Sequence, residues 1–534
     1  MTDISLITSL QNSKLYDHAI ESFSTLETHC SWVILTGDYA YKIKKPVNFG
    51  FLDYSDLQKR KYYCEEEVKR NQALAKQIYL EVVPIYGSSE TPNFTGDGDI
   101  IEYAVKMVEF SQAGLLSQLQ KKQQLTGTII DKLANSLANF HLQATKVPLT
   151  SEIGSSEHAQ QQTRDNFTQT LPLLEDQTDK QELQQLCDDV EELYKKIKPI
   201  IDQRKTDGFV RQCHGDVHLN NITLIDDEPI IFDCIDFNND FCWTDTMADL
   251  GFITMDLDEF GEYELSWQLL NQYLQVSGDY AGLQVLPYFQ AYRAMVRAKV
   301  AMFTLINTNS EADRAQQYQR YKGCIALTKK YLQTRPLKIL ITCGVSASGK
   351  STLAEKLSIN LNLITITSDR ERKRQANIDL QTNCQAPVLQ GLYHPQQTEK
   401  TYHSLLEISE KVIAAGYPVI IDAAFIYKKQ RQAFTMLAAR LNIPFTIIYC
   451  HAPEAQLRKW LKQRETNVSE ATQDVLTMQL QSFESPLVNE ATQTIEICAT
   501  KPISLDSLVK KINTRDSAAK ETHREFDHSI KKIL

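Results

Sequence analysis

Hydrophobic and polar positions change period several times along this chain, and each change marks an element. Residues 32–35 and 39–43 are β-rich runs parted by Thr36-Gly37-Asp38, a Gly/Asp turn that predicts a hairpin. From about 55 to 76, apolar and charged residues fall at helical spacing, and strand-like groups follow at 82–86 and 101–108. Residues 1–110 therefore read as a small lobe of sheet plus one helix. Between 115 and 205 the pattern is helical and rich in Gln, Leu and Glu, and it breaks into short strands at 222–225 and 229–232. Helical spacing returns from about 266 to 331, so residues 111–333 predict a mostly helical lobe with a short hairpin inserted.

Thr334-Arg335-Pro336 reads as a linker, because proline disfavours continuation of the preceding helix. Beyond it, apolar runs at 338–342, 363–366, 418–421 and 445–449 alternate with helical stretches, which predicts an α/β domain with a parallel sheet over 337–512. Residues 513–534 form a charged tail. A length of 534 residues exceeds what one core supports, in agreement with two domains.

Charge narrows the partners. A net charge of -10 argues against wholesale attraction to nucleic acid or an anionic membrane and favours a small molecule. The eleven cysteines include no C-x-x-C pair and no Cys/His set at zinc spacing, as expected of reduced thiols in the cytoplasm. Residues 1–10 lack the features of a leader, and no stretch approaches the roughly 18 apolar residues of a membrane span. Nothing specifies an oligomeric state.

Gly344-Val345-Ser346-Ala347-Ser348-Gly349-Lys350-Ser351 fits G-x-x-x-x-G-K-[ST], followed by Thr352, and lies between an apolar strand and an amphipathic helix. In that setting, backbone N–H groups wrap the phosphates of ATP, Lys350 reaches their outer oxygens and Ser351 offers a hydroxyl to Mg2+. Asp422 ends the strand 419–421, on the ligand side of a parallel sheet, and is a candidate for the Mg2+ water shell. Asp369 follows another strand and precedes Arg370, Arg372 and Arg374. As a general base it would orient an acceptor hydroxyl while Arg372 neutralises the moving phosphoryl group; the competing reading is a helix cap with solvated arginines. This half resembles the small-molecule and polynucleotide kinase branch of P-loop proteins, including gluconate kinase, phage polynucleotide kinase and zeta-toxin-like kinases. The Asp369-x-x-Arg372 spacing is most similar to the latter two. The resemblance implies lid arginines over ATP at Arg458 and Arg464, with a solvated helix face as the alternative.

His214-Gly215-Asp216-Val217-His218-Leu219-Asn220-Asn221 has the H-x-D-x-x-x-x-N layout of a kinase catalytic loop. Asp216 would orient the acceptor hydroxyl and Asn221 reach a Mg2+ ion. In Ile231-Phe232-Asp233-Cys234-Ile235-Asp236-Phe237, either aspartate could be the second metal ligand, and context slightly favours Asp236. Strand alternation places Lys42 towards the phosphates, with Lys44 as a fallback on the same face; of Glu65, Glu66 and Glu67, spacing favours Glu67 as the lysine's partner. Residues 30–330 resemble the aminoglycoside phosphotransferase family, and the whole chain resembles bacterial fusions of such a domain with a P-loop domain. The resemblance implies a bilobal, protein-kinase-like α+β fold, and it implies that Asp249 braces the catalytic loop. Arg293 and Arg297, with Lys299 nearby, could bind an anionic acceptor or form helix salt bridges.

The expected activity is a bifunctional phosphotransferase moving the γ-phosphoryl group of Mg-ATP to hydroxyls of small molecules. Two alternatives stand beside it: one catalytic half with the other a regulatory nucleotide-binding module, or a polynucleotide 5′-hydroxyl kinase in the P-loop half.

Overall fold

The computed structural model describes residues 4–50, 52–378, 394–463, 472–488 and 490–516. These form two compact units: one runs to Leu269 and resumes over Val285–Leu332, and the other comprises Leu270–Gln284 with the chain from Gln333 onward.

The first unit begins with a six-stranded antiparallel sheet in the order β1-β2-β3-β6-β4-β5. Its strands are β1 (Ser24–Glu27), β2 (Ser31–Leu35), β3 (Tyr39–Lys44), β4 (Tyr79–Gly87), β5 (Pro92–Asn93) and β6 (Ile100–Val108). The β2–β3 hairpin turns at Gly37, whose φ of 96° lies in the left-handed region that glycine enters without steric cost. Helix Leu57–Ala75 starts where the Asp56 side chain accepts a hydrogen bond from the Lys59 N–H, and buries Cys64, Glu67, Val68, Asn71 and Ala75 along one stripe. The short exposed β1 carries no pattern that separates it from a loop.

The helical lobe is built mainly from helices Gly127–Gln143, Ser156–Thr170, Gln177–Thr206, Thr246–Glu259, Leu286–Asn307 and Glu311–Leu332. Two small antiparallel pairs sit within it: β7 (Val210–Gln212) with β10 (Trp243–Asp245), and β8 (Ile222–Ile225) with β9 (Glu228–Ile231). Asp226 and Asp227, at φ of 51° and 60°, make the two-residue turn that matches the twist of the β8–β9 hairpin.

The second unit has a parallel sheet in the order β12-β13-β11-β14-β15. Its strands are β11 (Ile339–Cys343), β12 (Ile364–Thr367), β13 (Val419–Asp422), β14 (Phe445–His451) and β15 (Thr494–Cys498). Every residue of β11 is buried, as expected of a central parallel strand covered on both faces. The edge strand β15 is not anticipated by the run of apolar segments, because Glu496 interrupts it. A helix over 505–516 buries Leu508 and Ile512 in this unit, and Lys338 binds Asn513 at 3.0 Å and Asp516 at 2.6 Å. Residues 513–516 thus belong to the packed domain rather than to a charged tail; 517–534 lie outside the described residues.

Leu270–Gln284 is a second departure from a division at one linker. The Asn271 side chain accepts from the Thr365 N–H at 2.7 Å and donates to the Leu363 carbonyl at 3.1 Å, pairing along β12. Among the described residues no helix is long and apolar enough to cross a membrane.

Candidate functional site

In the first unit, the pleat of β3 points Lys42 and Lys44 to the same side, towards helix Leu57–Ala75. Glu67 gives one carboxylate oxygen to each: Lys42 donates at 2.7 Å and Lys44 at 2.6 Å. Lys42 also donates to Asp233 at 2.7 Å, and Lys44 to Asp236 at 2.6 Å. Burial opposes ionisation of Glu67, yet the charges of Lys42 and Lys44 outweigh it and bring its pKa down to about 2. Burial, with the neighbouring Glu67 charge adding to it, raises Asp236 to about 6 in spite of Lys44.

The two aspartates differ in access. Asp236 is 7% exposed and sealed against Lys44, whereas the Asp233 side chain is 45% exposed beside Lys42. Access runs against the order that local context favours: of the two carboxylates, Asp233 is the one open to a cation, and Asp236 is a buried partner of the fallback lysine. Asp233 also has a φ of 64°, an uncommon conformation for a non-glycine residue that typically marks a functional turn.

The catalytic-loop motif spans β7 to β8. Asp249 accepts hydrogen bonds from the N–H groups of His214 and Gly215 at 2.8 and 2.9 Å, and lies 3.3 Å from His141. Asn221 donates from its side-chain nitrogen to the Asp216 carboxylate and carbonyl, both at 3.1 Å, which leaves its amide oxygen as the end for a cation. Burial works against the Asp216 carboxylate, but the His218 charge and hydrogen bond hold its pKa below the usual range. Asp216 is thereby an ionised carboxylate held in a fixed orientation. The amide oxygen of Asn221 and the carboxylate of Asp233 are hard donors that fit Mg2+.

Of the two readings of Arg293 and Arg297, the contacts they make are those of the internal one. Arg293 is buried with its guanidinium over the rings of Phe252 and Tyr292 at 4.6 and 5.1 Å. Arg297 binds Asp256 at 2.8 Å, and the other oxygen of Asp256 accepts from the Leu219 N–H. Sequence spacing misses this brace of the catalytic loop, since only the fold brings Asp256 beneath it.

In the second unit, the phosphate loop leaves β11 at Gly344, where an added Cβ would stand 2.1 Å from the Cys450 carbonyl oxygen. Gly349, at a φ of 84°, opens helix Lys350–Leu361. Lys350 donates to the Val345 carbonyl at 2.8 Å, and the N–H of Ser346 donates to the Gln479 side chain at 2.7 Å. Two cavities flank this loop. One, of about 560 Å3, is lined by Ser346, Lys350, Ser351, Asp369, Arg372 and Asp422 among others. The other, of about 630 Å3, is lined by Ser348, Thr352, Trp460, Gln463, Ala499 and Ile503 among others. Ala347 and Gly349 line both, so the loop divides them.

Asp422, at the floor of the first cavity, accepts from the Thr342 hydroxyl at 3.0 Å, and burial raises its pKa. With the Ser351 hydroxyl it makes an oxygen-only donor set suited to Mg2+. Arg372 donates to Asp369 at 2.7 Å. Arg370 and Arg374 do not join them: helical spacing turns them towards Leu270–Gln284, where Arg370 donates to Gln272 and Arg374 to the Gln275 carbonyl. Arg458 lines neither cavity and donates to Glu454, Gln473 and Thr477, the contacts expected of the helix-face alternative. Arg464 lies outside the described residues. Trp460 and Gln479 are lining residues that no motif signals.

The model of the Phosphotransferase enzyme family matches residues 59–286, and that of an AAA domain matches 339–486. The chain joins a phosphotransferase-family domain to a P-loop AAA domain. An uncharacterized protein of Mycobacterium tuberculosis (strain ATCC 25618 / H37Rv) is 25% identical over 449 residues, covering 84% of this chain and 88% of its own. A choline/ethanolamine kinase family protein from Mesorhizobium loti aligns with 62% of the chain and 98% of its own, at 13% identity and a TM-score of 0.38. A thermostable mutant of the aminoglycoside phosphotransferase APH(4)-Ia aligns with 58% of the chain and 95% of its own, at 15% identity and a TM-score of 0.37. A gluconokinase from Sinorhizobium meliloti 1021 aligns with 36% of the chain and 99% of its own, at 18% identity and a TM-score of 0.26. Both the phosphotransferase-family domain and the P-loop domain are kinase-like, so the chain is of the phosphotransferase type.

Proposed function

We propose that the protein is a bifunctional ATP-dependent phosphotransferase, each domain moving a γ-phosphoryl group to the hydroxyl of a small molecule in the cytoplasm. The observation that carries this reading is that Lys350, Ser351, Asp369, Arg372 and Asp422 line one cavity, uniting phosphate-holding, metal-holding and proton-accepting groups. In the P-loop domain, Asp369 orients the acceptor hydroxyl and takes its proton, while Lys350 and Arg372 balance charge on the transferring group. The nucleoside occupies the opposite cavity beside Trp460. In the phosphotransferase-family domain, Asp216 orients the acceptor hydroxyl and Lys42, steadied by Glu67, faces the phosphates. Bound Mg2+ would neutralise phosphate charge, held through Ser351 and Asp422 in one domain and Asn221 and Asp233 in the other.

Coupled measurement of ADP release across a metabolite pool tests the reading. Asp216→Ala is expected to abolish one acceptor-dependent activity and Lys350→Ala another. If one substitution removes all transfer while the other only changes nucleotide affinity, one domain is a regulatory module. Equal loss of both activities in either variant would sink the independence of the sites.

A further inference from the structure

The catalytic-loop aspartate does not present its two carboxylate oxygens alike. Oδ2 of Asp216 lies 3.2 Å from Nε2 of His218 and 3.1 Å from the side-chain nitrogen of Asn221. An ionised carboxylate only accepts hydrogen bonds, so His218 is the donor of its pair, and both lone-pair directions of Oδ2 are engaged. Oδ1 has no donor among the described residues, on a side chain that is 38% exposed.

One tight turn builds this asymmetry. Leu219–Asn221 is a single 3-10 turn, in which the Asn221 N–H donates to the His218 carbonyl at 2.9 Å, so the two donors come from opposite ends of the turn and meet at one oxygen. The turn is pinned twice: the Leu219 N–H donates to Asp256 at 2.9 Å, and the Asn221 carbonyl accepts from the Phe232 N–H at 2.9 Å. The imidazole of His218 packs on the ring of Phe252, with centroids 5.5 Å apart, and the guanidinium of Arg293 lies 4.6 Å from the same ring. A donor restrained in this way keeps its place on Asp216 without losing further side-chain freedom when substrate binds.

We infer that His218 is a positioning residue for phosphoryl transfer: together with Asn221 it holds Oδ2 of Asp216, and so leaves Oδ1 as the atom that receives the acceptor hydroxyl. This rests on the reading of Asp216 as the group that orients that hydroxyl. The hydroxyl donates to Oδ1, and its oxygen forms a bond to the γ-phosphorus of ATP. The bond from that phosphorus to the β,γ-bridging oxygen breaks, ADP leaves with the electron pair, and the hydroxyl proton passes to Oδ1. Without the His218 donor the carboxylate turns about its Cβ–Cγ bond, and the two oxygens lose their separate roles.

The test uses the full chain carrying Lys350→Ala, with ATP and the metabolite pool, and scores ADP release that Asp216→Ala removes. His218→Phe keeps a ring against Phe252 but no donor, and is expected to lower kcat roughly tenfold or more while the KM for ATP stays within about twofold. His218→Gln returns an N–H at the place of Nε2 and should regain most of the loss. Full turnover in His218→Phe, or equal losses in both variants, overturns the inference and leaves Asp216 as the base. Release that Asp216→Ala does not change sinks the reading of Asp216, and the inference with it. NMR of the chain with isotope-labelled histidine needs no acceptor: a hydrogen-bonded Nε2–H signal, assigned to His218 by its loss in His218→Gln, should vanish in Asp216→Ala. That signal decides the inference if no metabolite is turned over, and its absence from the parent or its persistence in Asp216→Ala overturns it.

Discussion

The side-chain oxygen of Gln479 accepts a hydrogen bond from the backbone N–H of Ser346 at 2.7 Å, so a neutral amide occupies a donor of the phosphate loop. Ser346 lines the Asp369 cavity and not the opposite one, which places this bond at the transfer end of the loop. Gln479→Glu keeps the acceptor but adds a negative charge facing the phosphates, and is expected to weaken ATP binding roughly tenfold or more. Gln479→Ala should bind ATP at least as well as the parent. Calorimetry on Lys42→Ala backgrounds, which weaken the other ATP site, isolates this one, and unchanged affinity in Gln479→Glu would remove the residue from the phosphate path.

Glu67 neutralises two lysines at once. Glu67→Gln should lower Asp216-dependent ADP release roughly tenfold or more by releasing Lys42, and leave Lys350-dependent release unchanged. Glu67→Ala strands buried charge and is expected to destabilise the first domain by about 3–5 kcal/mol in thermal or urea melts.

Asp236 has its pKa raised by burial from an ordinary 3.8 to about 6. Its contribution to stability is fully present below its unfolded pKa and is lost as pH rises through about 6. The melting temperature of the parent relative to Asp236→Asn should therefore fall between pH 4 and 7 and level off above that. Glu67 acts in the opposite sense: its pKa lies at about 2, so its contribution is lost only in acid, as pH falls towards that value. A parent-minus-variant difference that rises from pH 4 to 7 would contradict this.

Arg431 is fully buried and binds Glu490 at 2.7 Å. Arg431→Met leaves Glu490 buried without its partner and frees the Phe425 carbonyl, and is expected to cost about 3–5 kcal/mol. The double variant with Glu490→Leu should recover much of that loss, as read by the melting of the P-loop domain.

Arg458 is held by Glu454, Gln473 and Thr477. Arg458→Ala should leave the KM for ATP in Lys350-dependent transfer within about twofold, because surface ion pairs of this kind contribute little. A large rise in KM would show that the side chain reaches the nucleotide after all.

Much was legible from local pattern. The phosphate loop could be read because glycines, lysine and serine must be contiguous to wrap a phosphate, and their flanks are one strand and one helix. The β3 lysines and the loop from His214 to Asn221 were legible for the same reason: each role is set by spacing along one element. Choosing Asp233 over Asp236 was not, because it depends on which carboxylate Lys44 seals away.

Local sequence accordingly specified the two kinds of domain, the order of most of their strands and helices though not β1 or β15, and the residue types that hold phosphate, since these follow from periodicity and short-range geometry. Contacts between distant segments decided the rest: Leu270–Gln284 joining the P-loop domain through Asn271, Asp256 beneath the catalytic loop, Gln479 on the phosphate loop and Tyr402 as a cavity wall. Each joins residues far apart in the chain, and no repeat or spacing records such a pairing, because only burial and packing of the whole domain bring the partners within hydrogen-bonding distance.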